Sequence, residues 1–189
     1  SFGAKPGVVE ALVETSPSQW VADQFNLNPR YILPPLQTMF EEGNEVDNRA
    51  HATAYWDAAI LNSDQLRQRM VFALSQIAVV SDKDMGNRPL TMAHYIDILQ
   101  KHAFGNYREL LQDITYAPAT ARFLTYYRNR KGDPRTGRMP DENYARELVQ
   151  LYTLGLVELN PDGTQKLGND GNPIEIYTND DIVGLARVF

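Results

Sequence analysis

One segment, residues 141–154, carries polar groups of the kinds that perform acid–base chemistry. At about 100° per residue, its carboxylate, amide and guanidinium groups fall on one side of a helix, and its aromatic and aliphatic groups fall on the other. The polar side comprises Glu142, Asn143, Arg146, Glu147, Gln150 and Thr153. Two carboxylates near an arginine can activate water for hydrolysis of a glycosidic or ester bond.

His102 is the histidine that we associate with these carboxylates, because an imidazole and a carboxylate can share a proton near neutral pH. The candidate catalytic residues are therefore His102, Glu142 and Glu147. The candidate binding residues of the same site are Asn106, Asn143 and Arg146.

The alternative for these groups is a buried polar network that holds helices in register. In that network Glu142 or Glu147 accepts hydrogen bonds from Arg67, Arg69 or Arg146. Amide and guanidinium groups suit structural bonding at least as well as catalysis, so the structural interpretation is favoured.

A cluster of basic residues precedes the segment and surrounds a single acidic residue, Asp133. It comprises Arg128, Arg130, Lys131, Arg135 and Arg138. The cluster is either a solvated loop or an anion-binding rim for an acidic polymer or phosphate, with Arg128, Arg130 and Arg135 as binding residues. Tyr126 and Tyr127 beside it could stack a sugar. The net charge of −6 argues against a nucleic-acid partner.

Composition excludes several classes of site. The chain has no cysteine, so it has no disulfide, zinc–thiolate site or cysteine nucleophile. Its three histidines, His51, His94 and His102, lack ligand spacing, and the loop Asp162 to Asp170 does not match an EF-hand. No phosphate-binding glycine loop or dinucleotide fingerprint is present. We therefore predict no metal and no cofactor.

The elements that must position these residues are mostly helical. Apolar residues recur at helical spacing through most of the chain, with start signals such as Ser16 before Pro17 and Thr178 before Asp181. Residues 157–177 differ, since their alternating ends and turn-rich middle predict a β-hairpin. The fold class is thus mainly α, a multi-helix orthogonal bundle with one small β-hairpin near the C-terminus.

Length and hydropathy bound the organisation of the chain. Residues 1–189 are expected to form a single helical domain, with the hairpin of residues 157–177 as an insertion. No apolar run approaches the ~20 residues that a transmembrane helix needs. Because the sequence lacks an initiator methionine and ends within an apparent helix at Phe189, we expect it to be a fragment of a longer protein.

Several blocks resemble the bacterial "domain of unknown function 1800" family. Its hallmark reads Asn-Glu-Asn-Phe/Tyr-Ala-Arg-Glu-Leu followed by Leu-x-Thr-Leu-Gly, and residues 141–155 match it, with Asp141 in place of the first Asn. The further matching blocks are Phe2-Gly3, Gln65 to Met70, His102 to Leu111, and Tyr177 to Phe189. The resemblance covers nearly the whole chain.

The resemblance implies an exported protein, located in the periplasm, at the cell surface or in the medium. It also implies a secreted partner of the sulfatase/alkaline-phosphatase type, but no reaction. Our first hypothesis is a binding or assembly module that works with such a partner at the cell surface. The second is a hydrolase that acts on an extracellular polymer by carboxylate and histidine acid–base chemistry.

Overall fold

The computed structural model describes residues 3–4 and 7–189, and eleven helices lie in this part of the chain. They are α1 (Val8–Glu14), α2 (Pro17–Asn26), α3 (Leu33–Glu41), α4 (Asn48–Leu61), α5 (Gln65–Ile77), α6 (Asp82–Met85), α7 (Pro89–His102), α8 (Tyr107–Tyr116), α9 (Pro118–Phe123), α10 (Asn143–Gln150) and α11 (Asn179–Ala186). The prediction of a mainly helical, multi-helix protein is confirmed. Phe2, of the matching block Phe2-Gly3, lies outside the described residues.

The chain divides into two compact units, one extending to Thr120 and one from Ala121 to Phe189. In the first unit α7 is the central helix, in contact with α3, α4, α5 and α8. Its buried side chains include Met92, Tyr95, Ile96 and Leu99. Because α7 is buried on nearly every side, it organises this unit.

Three prolines and two asparagines predict an extended segment over residues 26–35, but α3 begins inside it, just before Pro34 and Pro35. Both prolines lie in the first turn of α3, where the missing N–H groups cost no helical hydrogen bond. The first turn also has a partner from outside the helix. Asp97 accepts hydrogen bonds from the backbone N–H groups of Ile32 and Leu33, at 2.8 and 3.0 Å.

The second unit is built around α10 and α11. Their contact buries Ala145, Ile182 and Ala186 in a small apolar core. Tyr144, also buried, stacks on Tyr126 with ring centroids 4.4 Å apart. Thr178 caps α11 in a reciprocal capping box with Asp181, as predicted. The apolar face of α10 is therefore fixed within this unit.

The motif helix is shorter than the predicted range of residues 141–154. After Gln150 the backbone hydrogen bonds span more residues than the four of an α-helix. Tyr152 N–H bonds to Glu147 O, five residues back, at 3.0 Å, and Gly155 N–H bonds to Val149 O, six residues back, at 3.1 Å. Gly155 has φ +81°, the left-handed conformation that ends many helices. Leu151, predicted on the packed side, is 62% exposed as a result.

Residues 157–177 do not form the predicted β-hairpin, and isolated bridges take its place. Val157 does pair with Glu175, as the hairpin required. However, the chain between them forms a third arm that pairs with both ends. Glu158 N–H donates to Ile174 O, and Ile174 N–H donates to Lys166 O. Lys166 N–H in turn donates to Glu158 O, which closes a ring of three bonds.

An eight-residue period underlies this three-armed segment. Gly155, Gly163 and Gly171 all have positive φ, between +81° and +84°. Two of the turns are Asx turns, in which Asp162 accepts from Thr164 N–H and Asp170 accepts from Asn172 N–H, at 3.0 and 3.1 Å. Because the chain turns every eight residues, each arm is too short for a regular strand.

No helix in the described part of the chain has both the length and the apolar character that crossing a membrane requires.

Candidate functional site

The predicted polar face of α10 borders an open cleft of about 670 Å³ in the second unit. Arg146 donates to Glu142 Oε1 at 2.7 Å and to Asn179 Oδ1 at 3.1 Å. Asn143 also lines the cleft, so the structure brings three of the predicted residues together. The pair of Glu142 and Arg146 is partly solvated, with side chains 41% and 37% exposed.

The start of the motif is held by Asp141 and Asn129. The Asn129 side chain accepts from Asp141 N–H at 2.9 Å, and its amide donates to Asp141 O at 3.3 Å. Asp141 Oδ1 accepts from Thr125 Oγ1 and from the Asn143 N–H, both at 2.9 Å. The motif aspartate therefore supplies an Asx turn at the beginning of α10 and links it to the preceding loop.

Glu147 is half-buried on α10, and its carboxylate makes no hydrogen bond or ion pair within the described residues. Arg67, Arg69 and Arg146 were the expected partners of the motif glutamates. Arg146 bonds to Glu142 as expected. Arg69 donates to Gln65, at 3.0 Å to its backbone oxygen and 3.1 Å to its side chain.

Replacing Glu142 or Glu147 with glutamine is expected to change the free energy of unfolding very little. An i,i+4 pair at this exposure contributes about 0.2–0.5 kcal/mol, and Glu147 has no bond to lose. Thermal denaturation of the Glu142→Gln and Glu147→Gln variants, followed by circular dichroism, measures this. A loss above about 2 kcal/mol in either variant would show that the carboxylate is a buried structural acceptor.

His102 belongs to the first unit, where it lies near the end of α7. Its Nε2 is 2.7 Å from Asp113 Oδ2, and the same oxygen accepts from Lys101 Nζ at 2.7 Å. The hydrogen bonds from His102 and then Lys101 lower the pKa of Asp113. The predicted histidine thus has a carboxylate partner, and this partner is Asp113 of α8.

Asn106 has a local structural role in the first unit. Its side-chain oxygen accepts from the backbone N–H groups of Arg108 and Glu109, at 2.9 and 3.4 Å. These are bonds of a helix N-cap, which satisfy donors that the first turn of α8 leaves open.

A buried ion pair forms the centre of a polar network in the first unit. Arg67 lies 3.6 Å from Asp64, and their side chains are 8% and 1% exposed. Arg67 also donates to Gln100 O at 3.0 Å and to Leu27 O at 2.9 Å. Its guanidinium lies 4.6 Å from the ring centroid of Phe104. The buried network that we expected around the motif glutamates therefore exists here with Asp64 as its carboxylate.

A second cleft, of about 380 Å³, lies in the first unit. Its lining includes Asp97, Asp113, Lys101, His94 and Tyr31. Burial raises the pKa of Asp97 to about 6, against the opposing effect of its bonds from Ile32 and Leu33 N–H. Asp97 and Asp113 are not among the predicted site residues, because each is a single aspartate that no local motif marks.

The raised pKa of Asp97 predicts a pH-dependent stability. Between about pH 4 and pH 6 the unfolded chain releases this proton while the folded chain keeps it, so the free energy of unfolding falls as pH rises. The fall is expected to be about 1–3 kcal/mol, allowing for partial solvation of the carboxyl. It should level off above the folded pKa.

Urea denaturation of wild type and Asp97→Asn between pH 4 and pH 7 measures this fall. Both tryptophans, Trp20 and Trp56, lie in the first unit, so their fluorescence reports on that unit. The variant should lose the fall across this range. An equal slope in both proteins would rule out Asp97 as its source.

The basic loop of the second unit has a defined conformation. Asp133 and Arg138 exchange two backbone hydrogen bonds, at 2.9 and 3.2 Å. The Asp133 carboxylate accepts from Arg135, at 3.0 Å from its N–H and 3.5 Å from its Nε. Arg138 Nε donates to Lys131 O at 3.1 Å. The single acidic group of the loop is therefore engaged inside the loop.

A pocket of about 680 Å³ lies against this loop and the end of α11. Four cationic side chains line it: Arg130, Lys131, Arg138 and Arg187. Asp133 is the one carboxylate in the lining. Within the described residues none of the four cations has an ion-pair partner. Of the predicted binding residues, Arg130 lines this pocket. Arg135 does not line it; its side chain is 92% exposed and contacts Asp133.

The two tyrosines beside the loop have different environments. Tyr126 packs against Tyr144 and Phe189, and burial is the largest cause of its raised pKa. Tyr127 is 45% exposed. The guanidinium groups of Arg122 and Arg128 lie 4.3 and 5.1 Å from its ring centroid. Predicted binding residue Arg128 is thus placed on an aromatic ring at the surface.

No group of three or more His, Cys, Asp or Glu side chains suited to a metal ion occurs within the described residues.

Comparison with known proteins gives one result. No curated protein and no solved structure matches the chain. A family profile, described as "Protein of unknown function (DUF1800)", matches residues 1–189 and so covers the whole chain. The chain is therefore a member of the DUF1800 family.

Proposed function

We propose that this chain is a binding module whose second unit holds the anionic groups of an acidic polymer in the pocket beside the basic loop. The observation that carries the proposal is the set of four cationic side chains that line one pocket without ion-pair partners in the described residues. Such a set attracts carboxylate, sulfate or phosphate groups, and arginine can bind them in a bidentate way.

The charge distribution supports this assignment. The chain as a whole has a net charge of −6, yet five of its 18 basic residues fall between Arg128 and Arg138. The carboxylate of Asp133 is already bonded to Arg135. A positive electrostatic field in a concave site raises the local concentration of an anionic ligand.

The resemblance to the family supports a wider proposal about location. We place the protein outside the cytoplasm, at the cell surface, in the periplasm or secreted, where it works with a secreted partner of the sulfatase/alkaline-phosphatase type. An acidic polymer bound by the module could at the same time be bound by this secreted partner.

A titration tests the binding function. Polygalacturonate, a carboxylated polysaccharide, and dextran, an uncharged one, are added to the purified chain, and binding is followed by calorimetry. Polygalacturonate should bind with an affinity that falls as salt rises, because bound ions are released from the polymer. Equal binding of dextran, or no binding of polygalacturonate at low salt, would refute the function.

A second candidate function, a hydrolase, is favoured by the cleft of the first unit. Asp97, with its pKa raised to about 6, can donate a proton, while Asp113, with its pKa lowered, remains a carboxylate. Paired carboxyl groups whose environments separate their pKa values are typical of acid and base roles. His102, bonded to Asp113, would position that carboxylate.

The hydrolase candidate predicts activity on chromogenic glycosides or esters of an extracellular polymer. Asp97→Asn should reduce this activity about 100-fold or more if Asp97 is the acid. Asp23→Asn, on the exposed face of α2, serves as the control and should keep full activity. Unchanged activity in Asp97→Asn would exclude the cleft as the catalytic site.

A further inference from the structure

Four buried polar atoms on α4 and α6 of the first unit have no hydrogen-bond partner among the described residues. They are Asn48 Oδ1, both ring nitrogens of His51 and Asp82 Oδ1. The imidazole belongs to a residue only 6% exposed. Buried polar atoms are normally bonded, so an unbonded group of four requires an explanation.

The three residues come from two neighbouring helices, α4 and α6. Asn48 and His51 lie one turn apart on α4, at positions that share a helix face. The Asn48 amide donates to Gly86 O at 3.2 Å, which joins this turn to the end of α6. Burial lowers the pKa of His51, and the Asp82 charge opposes that effect. A neutral imidazole therefore lies within electrostatic reach of a carboxylate.

The atoms cannot satisfy one another. The two oxygens only accept, and a neutral imidazole supplies one donor and one acceptor. Three acceptors thus meet a single donor, so a hydrogen bond from His51 to Asp82 would still leave two acceptors unbonded. A water molecule could satisfy those two. It would bring no positive charge to Asp82, which has no ion pair within the described residues.

We propose that Asn48, His51 and Asp82 bind a divalent transition-metal ion, with water completing the coordination. The proposal stands apart from the function of the second unit. Imidazole nitrogen with carboxylate and amide oxygens is a ligand set suited to Mn²⁺, Co²⁺ or Zn²⁺, and the imidazole disfavours Mg²⁺ and Ca²⁺. Only two of the three ligands are His or Asp, and their sequence spacing is not that of a common metal-binding motif.

Titration of the metal-free chain with Co²⁺ tests the site, since the visible spectrum of Co²⁺ reports nitrogen and oxygen ligands. One ion per chain is expected, and the melting temperature should rise by several degrees because the ion binds the folded state. His51→Gln and Asp82→Asn should each weaken binding at least tenfold. His94→Gln, a substitution of an exposed histidine, is the matched control and should bind like wild type.

Three outcomes would overturn the proposal. Wild type that takes up no Co²⁺, Mn²⁺ or Zn²⁺ and shows no thermal shift would identify a bound water only. Binding that survives in Asp82→Asn would place the ion elsewhere. Loss of binding in His94→Gln would have the same meaning. If His51→Gln does not fold, Asp82→Asn and the thermal shift of wild type decide.

Discussion

Replacing Asp64 with alanine is expected to lower the free energy of unfolding of the first unit by about 3–5 kcal/mol. Asp64 is 1% exposed and is the ion-pair partner of the Arg67 guanidinium. Its removal leaves a positive charge buried; among the described residues, the carbonyl oxygens of Gln100 and Leu27 and the Phe104 ring would then hold the guanidinium. Gln68, whose amide bonds to Asp64, would lose that acceptor as well.

Urea denaturation followed by tryptophan fluorescence measures this loss, because both tryptophans belong to the first unit. Asp23→Ala is the control. Asp23 is exposed and bonds to Gln19 at 2.8 Å, so this variant should lose less than about 0.5 kcal/mol. A loss below 1 kcal/mol in Asp64→Ala would mean that Arg67 does not depend on Asp64.

The double variant Arg130→Glu/Lys131→Glu is expected to weaken binding of polygalacturonate by about 10- to 100-fold at low salt. Each reversal turns a screened attraction of roughly 0.5 kcal/mol into a repulsion of similar size, so the two reversals together cost about 2 kcal/mol, and 1.4 kcal/mol corresponds to a factor of ten. Neither side chain bonds to a described residue, so the loop should keep its conformation. The same calorimetric titration measures the change.

The matched control is Arg30→Glu/Arg108→Glu, which alters two exposed arginines of the first unit and changes the net charge by the same amount. If binding depended only on overall charge, both double variants would lose affinity equally. The proposed site requires that the control keep an affinity within about threefold of wild type.

Local signals in the sequence predicted much of the fold. The caps at Ser16 and Thr178 form the predicted bonds, because a cap depends on residues within one turn of it. The apolar side of the motif helix was also predicted, and Tyr144 and Ala145 are buried as expected. These features are set by neighbours in sequence, which a single sequence displays.

Features that depend on distant residues were not predicted. The first turn of α3 bonds to Asp97, more than 60 residues along the chain, and no local pattern identifies that partner. The three-armed segment likewise depends on hydrogen bonds among arms that share turn geometry but little sequence. Its ends alternate as a strand does, and that alternation favoured the hairpin interpretation.

The candidate site shows the same division. Glu142 and Arg146 bond across one helical turn, which spacing predicts. The partner of His102 lies on another helix, and the acidic partner of Arg67 precedes its own helix at Asp64. The i,i+3 spacing of Asp64 and Arg67 was a usable signal, although their burial was not evident from the sequence.

Amide hydrogen exchange of the chain with and without polygalacturonate tests the binding function most directly. Protection should increase in residues 129–140 and 186–189, which line the pocket, while α7 in the first unit should exchange at an unchanged rate. Unchanged exchange in the basic loop at saturating polymer, or protection confined to the first unit, would contradict the proposed anion-binding pocket.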